Sequence, residues 1–260
     1  MPFHYLSFRM RNLFTIIFLT FIGFASAQEA DSLPGKKIRR LYISASFSPD
    51  YCFRTLTNHD GSSMSSYIVN LRNGQEIPKF GYGTGINLIY KFKGHFEFES
   101  GVQYADYGFA TNVPPLTFAN SIDPNRGFVY NSISPTIPKF FTNFNYLDIP
   151  LRANFVCGKR RFHFIASAGV VTNILATVSS TSVEDNADGS KTQITTRDNR
   201  GYNGINISPV VSVGVEYRVC KRFLLRAEPT FQRGILPTTY TPVEETLWNA
   251  GVNFSLLYRL

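Results

Sequence analysis

One stretch constrains the fold more than any other: Phe162-His163-Phe164-Ile165-Ala166-Ser167-Ala168-Gly169-Val170-Val171-Thr172-Asn173-Ile174-Leu175. At period two, one face reads Phe162, Phe164, Ala166, Ala168, Val170, Thr172, Ile174. The other, smaller and more polar, reads His163, Ile165, Ser167, Gly169, Val171, Asn173. Such alternation marks a β-strand with two unlike faces. The run exceeds the usual strand of about 5–6 residues and is long enough to cross a bilayer on a tilt, which takes about 9–11.

The same pattern recurs along the chain. Leu41 to Phe47, Tyr82 to Tyr90, Phe96 to Tyr104, Leu147 to Phe155, Ile205 to Tyr217, Phe223 to Phe231 and Trp248 to Tyr258 all alternate apolar with small or polar residues. Lys93-Gly94-His95, Cys157 to Arg161 and Cys220-Lys221-Arg222 are short turns, and the other connections are long. Eight strands with connections alternating long and short predict an antiparallel up-and-down barrel. The longer connections run from about Tyr51 to Lys79, Ala110 to Asn143, Ala176 to Gly204 and Pro237 to Glu245, the third with a hairpin tip at Asp185 to Gly189. Pro150, Pro209 and Pro229 fall inside strands, where each removes a ladder bond, so bulges or local breaks are expected there.

Composition decides which way the barrel faces. Aromatics are 15% and charged residues 17%, against about a quarter charged in an ordinary soluble domain. Mean hydropathy, -0.08, is too low for a bundle of membrane helices. The apolar faces would overfill an interior, whereas Gly, Ser, Asn and charged residues suit a narrow lumen. The expectation is therefore an eight-stranded transmembrane β-barrel, apolar outward to lipid, with short periplasmic turns and long extracellular loops. A soluble lipocalin-like barrel would need the opposite arrangement.

Residues 1–27 read as a cleaved signal peptide: Arg9 and Arg11, an apolar run from Leu13 to Phe24, then Ala25-Ser26-Ala27. Residues 28–38 are a polar and basic periplasmic leader, and 39–260 form the barrel domain. The partner this predicts is outer-membrane lipid. Lys36, Lys37, Arg39, Arg40, Lys159, Arg160, Arg161, Lys221 and Arg222 gather at the short-turn rim, where anionic headgroups would favour them. They are not interleaved with aromatics on one face, which argues against nucleic acid.

Candidate lumen ion pairs come from Glu97, Glu99, Asp148, Glu216 and Glu228 with Arg152, Arg218 and Arg226, joined by Lys91 and Arg259. Side chains just fill an eight-stranded interior, and charges there persist only when paired and hydrogen-bonded. A plugged lumen is therefore expected, with a narrow solute channel as the alternative. Phe128, Tyr130, Phe140 and Phe141 are a candidate ligand-binding cluster in the second long loop. Trp248, Tyr82, Tyr104, Tyr107, Tyr146, Tyr217 and Tyr258 are candidate interfacial anchors.

No catalytic residue, metal site or cofactor is predicted, and the chain reads as non-enzymatic. HExxH, GxSxG, P-loop and EF-hand patterns are absent. His59-Asp60 with Ser62 and Ser63 is the one nucleophile-like cluster, and it also reads as a polar turn. Cys52, Cys157 and Cys220 lack metal-ligand spacing. A Cys157–Cys220 bridge is geometrically open, with unpaired thiols the preferred reading.

Tyr146-Leu147-Asp148-Ile149-Pro150 in a central strand resembles the PorT-like outer-membrane β-barrel family of Bacteroidota. The resemblance implies an eight-stranded outer-membrane barrel. That family takes its name from a type IX secretion component, so an accessory role in protein secretion, with secretion-machinery or surface-protein partners, is the second functional expectation. The chain ends in Leu260 rather than the aromatic residue common at barrel C-termini.

Overall fold

A computed structural model describes residues 40–92, 94–112, 139–185 and 191–260. The predictions made for residues 1–39, for Phe128 and Tyr130, and for most of the hairpin tip lie outside them. The elements are β1 (Leu41–Asn58), α1 (Ser63–Gln75), β2 (Glu76–Lys91), β3 (Phe96–Asn112), β4 (Lys139–Lys159), β5 (Phe162–Asp185), β6 (Lys191–Arg197), β7 (Ile205–Arg218), β8 (Phe223–Arg233) and β9 (Val243–Arg259). The order β4-β3-β2-β1-β9-β8-β7-β5, with β4 also paired to β5, closes an antiparallel ring of eight strands. β6 is the ninth strand. It pairs with the upper part of β5, Ser179↔Arg197 to Asp185↔Lys191, while the lower part of β5 pairs with β7.

The face assignments follow the alternation. Phe162, Phe164, Val211, Val213 and Val215 point outward and are exposed, while Ser167, Asn173, Ser212 and Glu216 are buried inside. Two belts of packed aromatics ring the exterior. Tyr90–Phe92, Phe96–Phe155, Phe162–Tyr217 and Phe223–Tyr258 lie at the short-turn end. Phe231–Trp248, Phe53–Trp248, Tyr51–Trp248, Tyr51–Phe80 and Tyr82–Tyr104 lie toward the long-loop end. Tyr258 and Trp248 are ten residues apart on β9. At a rise of about 3.3 Å per residue and a tilt of about 40° that is ~25 Å of height, the thickness of the apolar band on membrane barrels. The outward side chains between the belts are therefore dissolved in lipid.

Tyr107 and Tyr146 are corrections to the predicted anchors. They share the inward parity of Glu99 and Asp148, are buried, and pack with Phe109, Phe144, Val178 and Leu247 as an apolar layer in the lumen. The strands also run further than predicted. β1 continues to Asn58, with Arg54 buried on the inward face, and residues 63–75 are helical rather than loop. Ser62 is the N-cap, its Oγ accepting from the Ser65 N–H, and Asp60 accepts from the Ser62 N–H. The His59–Ser63 cluster is thus the start of a capped helix.

Pro150, Pro209 and Pro229 cause no register shift. The ladders skip two residue pairs at Pro49 (β1–β9), Pro150 (β3–β4) and Pro229 (β7–β8), and resume in the same register. The shifts occur elsewhere, between Pro78 and Tyr82 on β2 and near Asn145 on β4. All three cysteines are free thiols.

Candidate functional site: the lumen and the wall above the membrane

The inward faces stack into layers. At the short-turn end Tyr42, Ile89, Leu224 and Leu257 form a small apolar floor. Above it lies the charged layer, assembled because inward residues of five strands, β2, β3, β4, β7 and β8, meet at one height. Arg226 is at its centre: its Nη2 reaches Glu97 and stands 2.7 Å from Glu216, and its Nε donates to Glu216 at 2.8 Å. Lys91 joins Glu97 at 2.6 Å and Glu216 at 3.4 Å. Arg152 bonds Glu228 at 3.0 Å and the Ser212 hydroxyl at 2.5 Å. Glu99 accepts from Asn87 and Asn154, each at 2.9 Å, with both arginines 3.7 Å away.

Glycines make room for these groups. Gly169 is the direct partner of Arg152, Gly101 of Asn87 and Gly251 of Asp50. A Cβ on Gly169 would stand 2.8 Å from the Arg152 Cα, and one on Gly251 would stand 2.0 Å from an Asp50 carboxylate oxygen.

Two predicted members of the charged set are placed differently. Arg218 ends β7 at the rim and is exposed. Asp148 lies higher in the lumen and is held by neutral donors, the Tyr107 hydroxyl at 2.8 Å and Asn173 at 2.6 Å. Sequence parity placed Asp148 inside correctly, but parity carries no height, and among the described residues its donors are the neutral Tyr107 and Asn173. Between Asp148 and the charged layer lies a polar cavity of about 50 Å³, lined in part by Asp50, Gln103, Arg152 and Asn249.

The long-loop mouth holds a second charged cluster that the sequence reading missed. Arg72 of α1 reaches Glu76 at 2.6 Å and Glu245 at 2.5 Å, and Arg54 meets Glu76 at 2.5 Å. Burial raises the Glu245 carboxyl above its ordinary range, although Arg72 pulls it down. The signal that would have found it is Ser62 with apolar Met64, Ile68 and Leu71 at helical spacing.

Phe140 and Phe141 belong to β4, not to a loop. They pair with Thr111 and Ala110 on β3 and, as consecutive strand residues, point to opposite faces. Phe141 lines a groove of about 590 Å³ on the outer wall above the aromatic belt. Lys79 crosses this groove, donating to Asp106 at 2.8 Å and to Asn143.

No family model matches the chain, and no curated protein matches it. Solved structures do. The neisserial surface protein A, NspA, is 14% identical, with 85% of this chain and 97% of that one covered at a TM-score of 0.43. OprG from Pseudomonas aeruginosa is 11% identical, covering 88% and 100%, also at 0.43. The outer-membrane protease OmpT from Escherichia coli is 9% identical, covering 88% and 99%, again at 0.43. Ring closure and the apolar exterior give the chain the fold of a transmembrane β-barrel.

Proposed function

We propose that the protein is a non-enzymatic barrel of the outer membrane, exported by a cleaved signal peptide, whose lumen is plugged by ion pairs and whose long-loop end meets an external ligand or partner protein. The observation that carries this reading is the layer of Glu97, Glu99, Glu216 and Glu228 around Lys91, Arg152 and Arg226. Three cations held in hydrogen-bonded pairs across the lumen would obstruct an aqueous path at that height, and buried pairs with such partners are costly to separate. Two spaces lined by described lumen residues above it are small, about 50 and 10 Å³. Planar-bilayer recording of the purified protein tests the plug. The expected result is no stable conductance, and large regular steps would refute it. N-terminal sequencing of the mature protein should begin at Gln28.

A second reading, an accessory of protein secretion, is supported by the resemblance of Tyr146–Pro150 to the PorT-like family. Co-purification with secretion-channel subunits from solubilised membranes would favour it. A secretion phenotype absent on deletion would count against it.

A further inference from the structure

The geometry points to the outer-wall groove as a binding site for an anionic glycolipid head group of the surrounding leaflet. The site needs only the membrane placement, and it stands whether or not the lumen conducts.

Two cross-strand rows build the groove. The lower is Ile77↔Ala110↔Phe141↔Thr181 across β2, β3, β4 and β5. The upper is Asn112↔Lys139↔Val183↔Gln193 across β3, β4, β5 and β6. Below the first row sits Gly108, at φ +139, where a Cβ would stand 1.9 Å from the Thr142 carbonyl oxygen. The lack of a side chain there opens the floor, and the Lys79 chain crosses it, 3.2 Å from that Cβ position. The volume, about 590 Å³, lies within the range of small-ligand pockets, about 300–1,000 Å³.

Its position and chemistry select the ligand. The lower lip is Phe80, 83% exposed and edge-on to Tyr51 at 5.7 Å, and Tyr51 belongs to the belt that contains Trp248. The groove therefore opens directly onto the membrane boundary. Phe80 and Ile77 offer an apolar slope to an acyl chain. Above them Asn112, Asn143 and Gln193 offer amides to sugar hydroxyls. Lys79 and Lys139 against Asp106 leave one positive charge in surplus, which favours a phosphorylated or carboxylated sugar over a neutral one. A diacyl phospholipid would bring the charge without the ring of hydroxyls that the amides suit.

The test uses the full-length protein in micelles, titrated with a monophosphorylated disaccharide glycolipid and read by native mass spectrometry. Phosphatidylglycerol, the unphosphorylated glycolipid and the soluble phosphorylated disaccharide are the comparison probes. Lys139 is exposed, so Lys139→Glu should fold normally. It should weaken the phosphorylated glycolipid by about tenfold or more, the equivalent of about 1.4 kcal/mol, and leave the unphosphorylated one unchanged. Phe80→Ser should weaken both glycolipids while sparing the soluble sugar. Equal binding of phosphatidylglycerol, equal binding of the soluble sugar, or full affinity in both variants would each overturn the assignment.

Discussion

Gly169 on β5 and Arg152 on β4 are direct cross-strand partners on the inward face, and the space that a Cβ on Gly169 would need is occupied by the Arg152 backbone. The Leu151 carbonyl oxygen, 2.2 Å from that Cβ position, crowds it further, so the glycine is what lets the two strands approach beside Arg152. Gly169→Val should lower stability by about 1–3 kcal/mol through overpacking. Urea titration of the protein folded into lipid vesicles would show it. A change within error would mean that the two strands part easily at this point.

Arg226 is 3% exposed and touches both Glu97 and Glu216. Arg226→Met removes the central cation and leaves Glu97 and Glu216 to share Lys91. The expected loss is about 3–5 kcal/mol, measured by the same titration. The double variant Arg226→Met, Glu216→Gln should recover a substantial part of that loss, because Glu97 keeps Lys91 as its partner.

Val213 points outward between the belts and is 63% exposed. On a water-soluble protein an arginine at such a position would cost almost nothing. In lipid, Val213→Arg should cost about 2–4 kcal/mol. Carbonate washing of membranes gives an independent check, since the wild-type protein should stay in the pellet.

Glu245 supplies the pH dependence at the mouth. Its folded-state pKa is raised above the ordinary 4.5, chiefly by burial. The ionised form is therefore disfavoured by folding. That penalty is present above the folded pKa and is relieved as pH falls through it toward 4.5. Glu245→Gln should flatten this part of the stability profile and be at least as stable as the wild type near pH 7, since it lifts the burial penalty while the amide oxygen still accepts from Arg72. Amide exchange in α1, followed from pH 7 to 4.5 in both proteins, would show whether the difference has this sign.

The barrel was legible because its signal is repeated: every strand alternates, and the short turns at Gly94, Cys157 and Cys220 fix the order. Parity alone placed Glu97, Arg152, Glu216 and Arg226 in the lumen. It did not give their heights, which depend on shear between strands, so Asp148 was grouped with cations it never meets and Arg218 with a lumen it lies outside. The upper halves of β1, β4 and β5 were hidden for a different reason. Above the membrane both faces meet water or protein, so Thr177 to Val183 no longer contrasts the two faces and reads as loop. The outer groove was invisible because its rows cross four strands, and only Phe141 among its lining residues had drawn attention.

β4 and β5 continue without interruption from the short-turn rim to Lys139 and Asp185. From the level of Ile174 to Val183, nine residues at about 3.3 Å each and a tilt of about 40° amount to roughly 20 Å of rise. Apart from the bulge beside Asn145, one continuous β4–β5 ladder joins this blade to the cylinder beneath it. A load on the upper ladder of β5 and β6, at Ser179 to Val183, therefore has a direct covalent and hydrogen-bonded route down β5 to the buried staves, so the blade serves as a lever on the barrel.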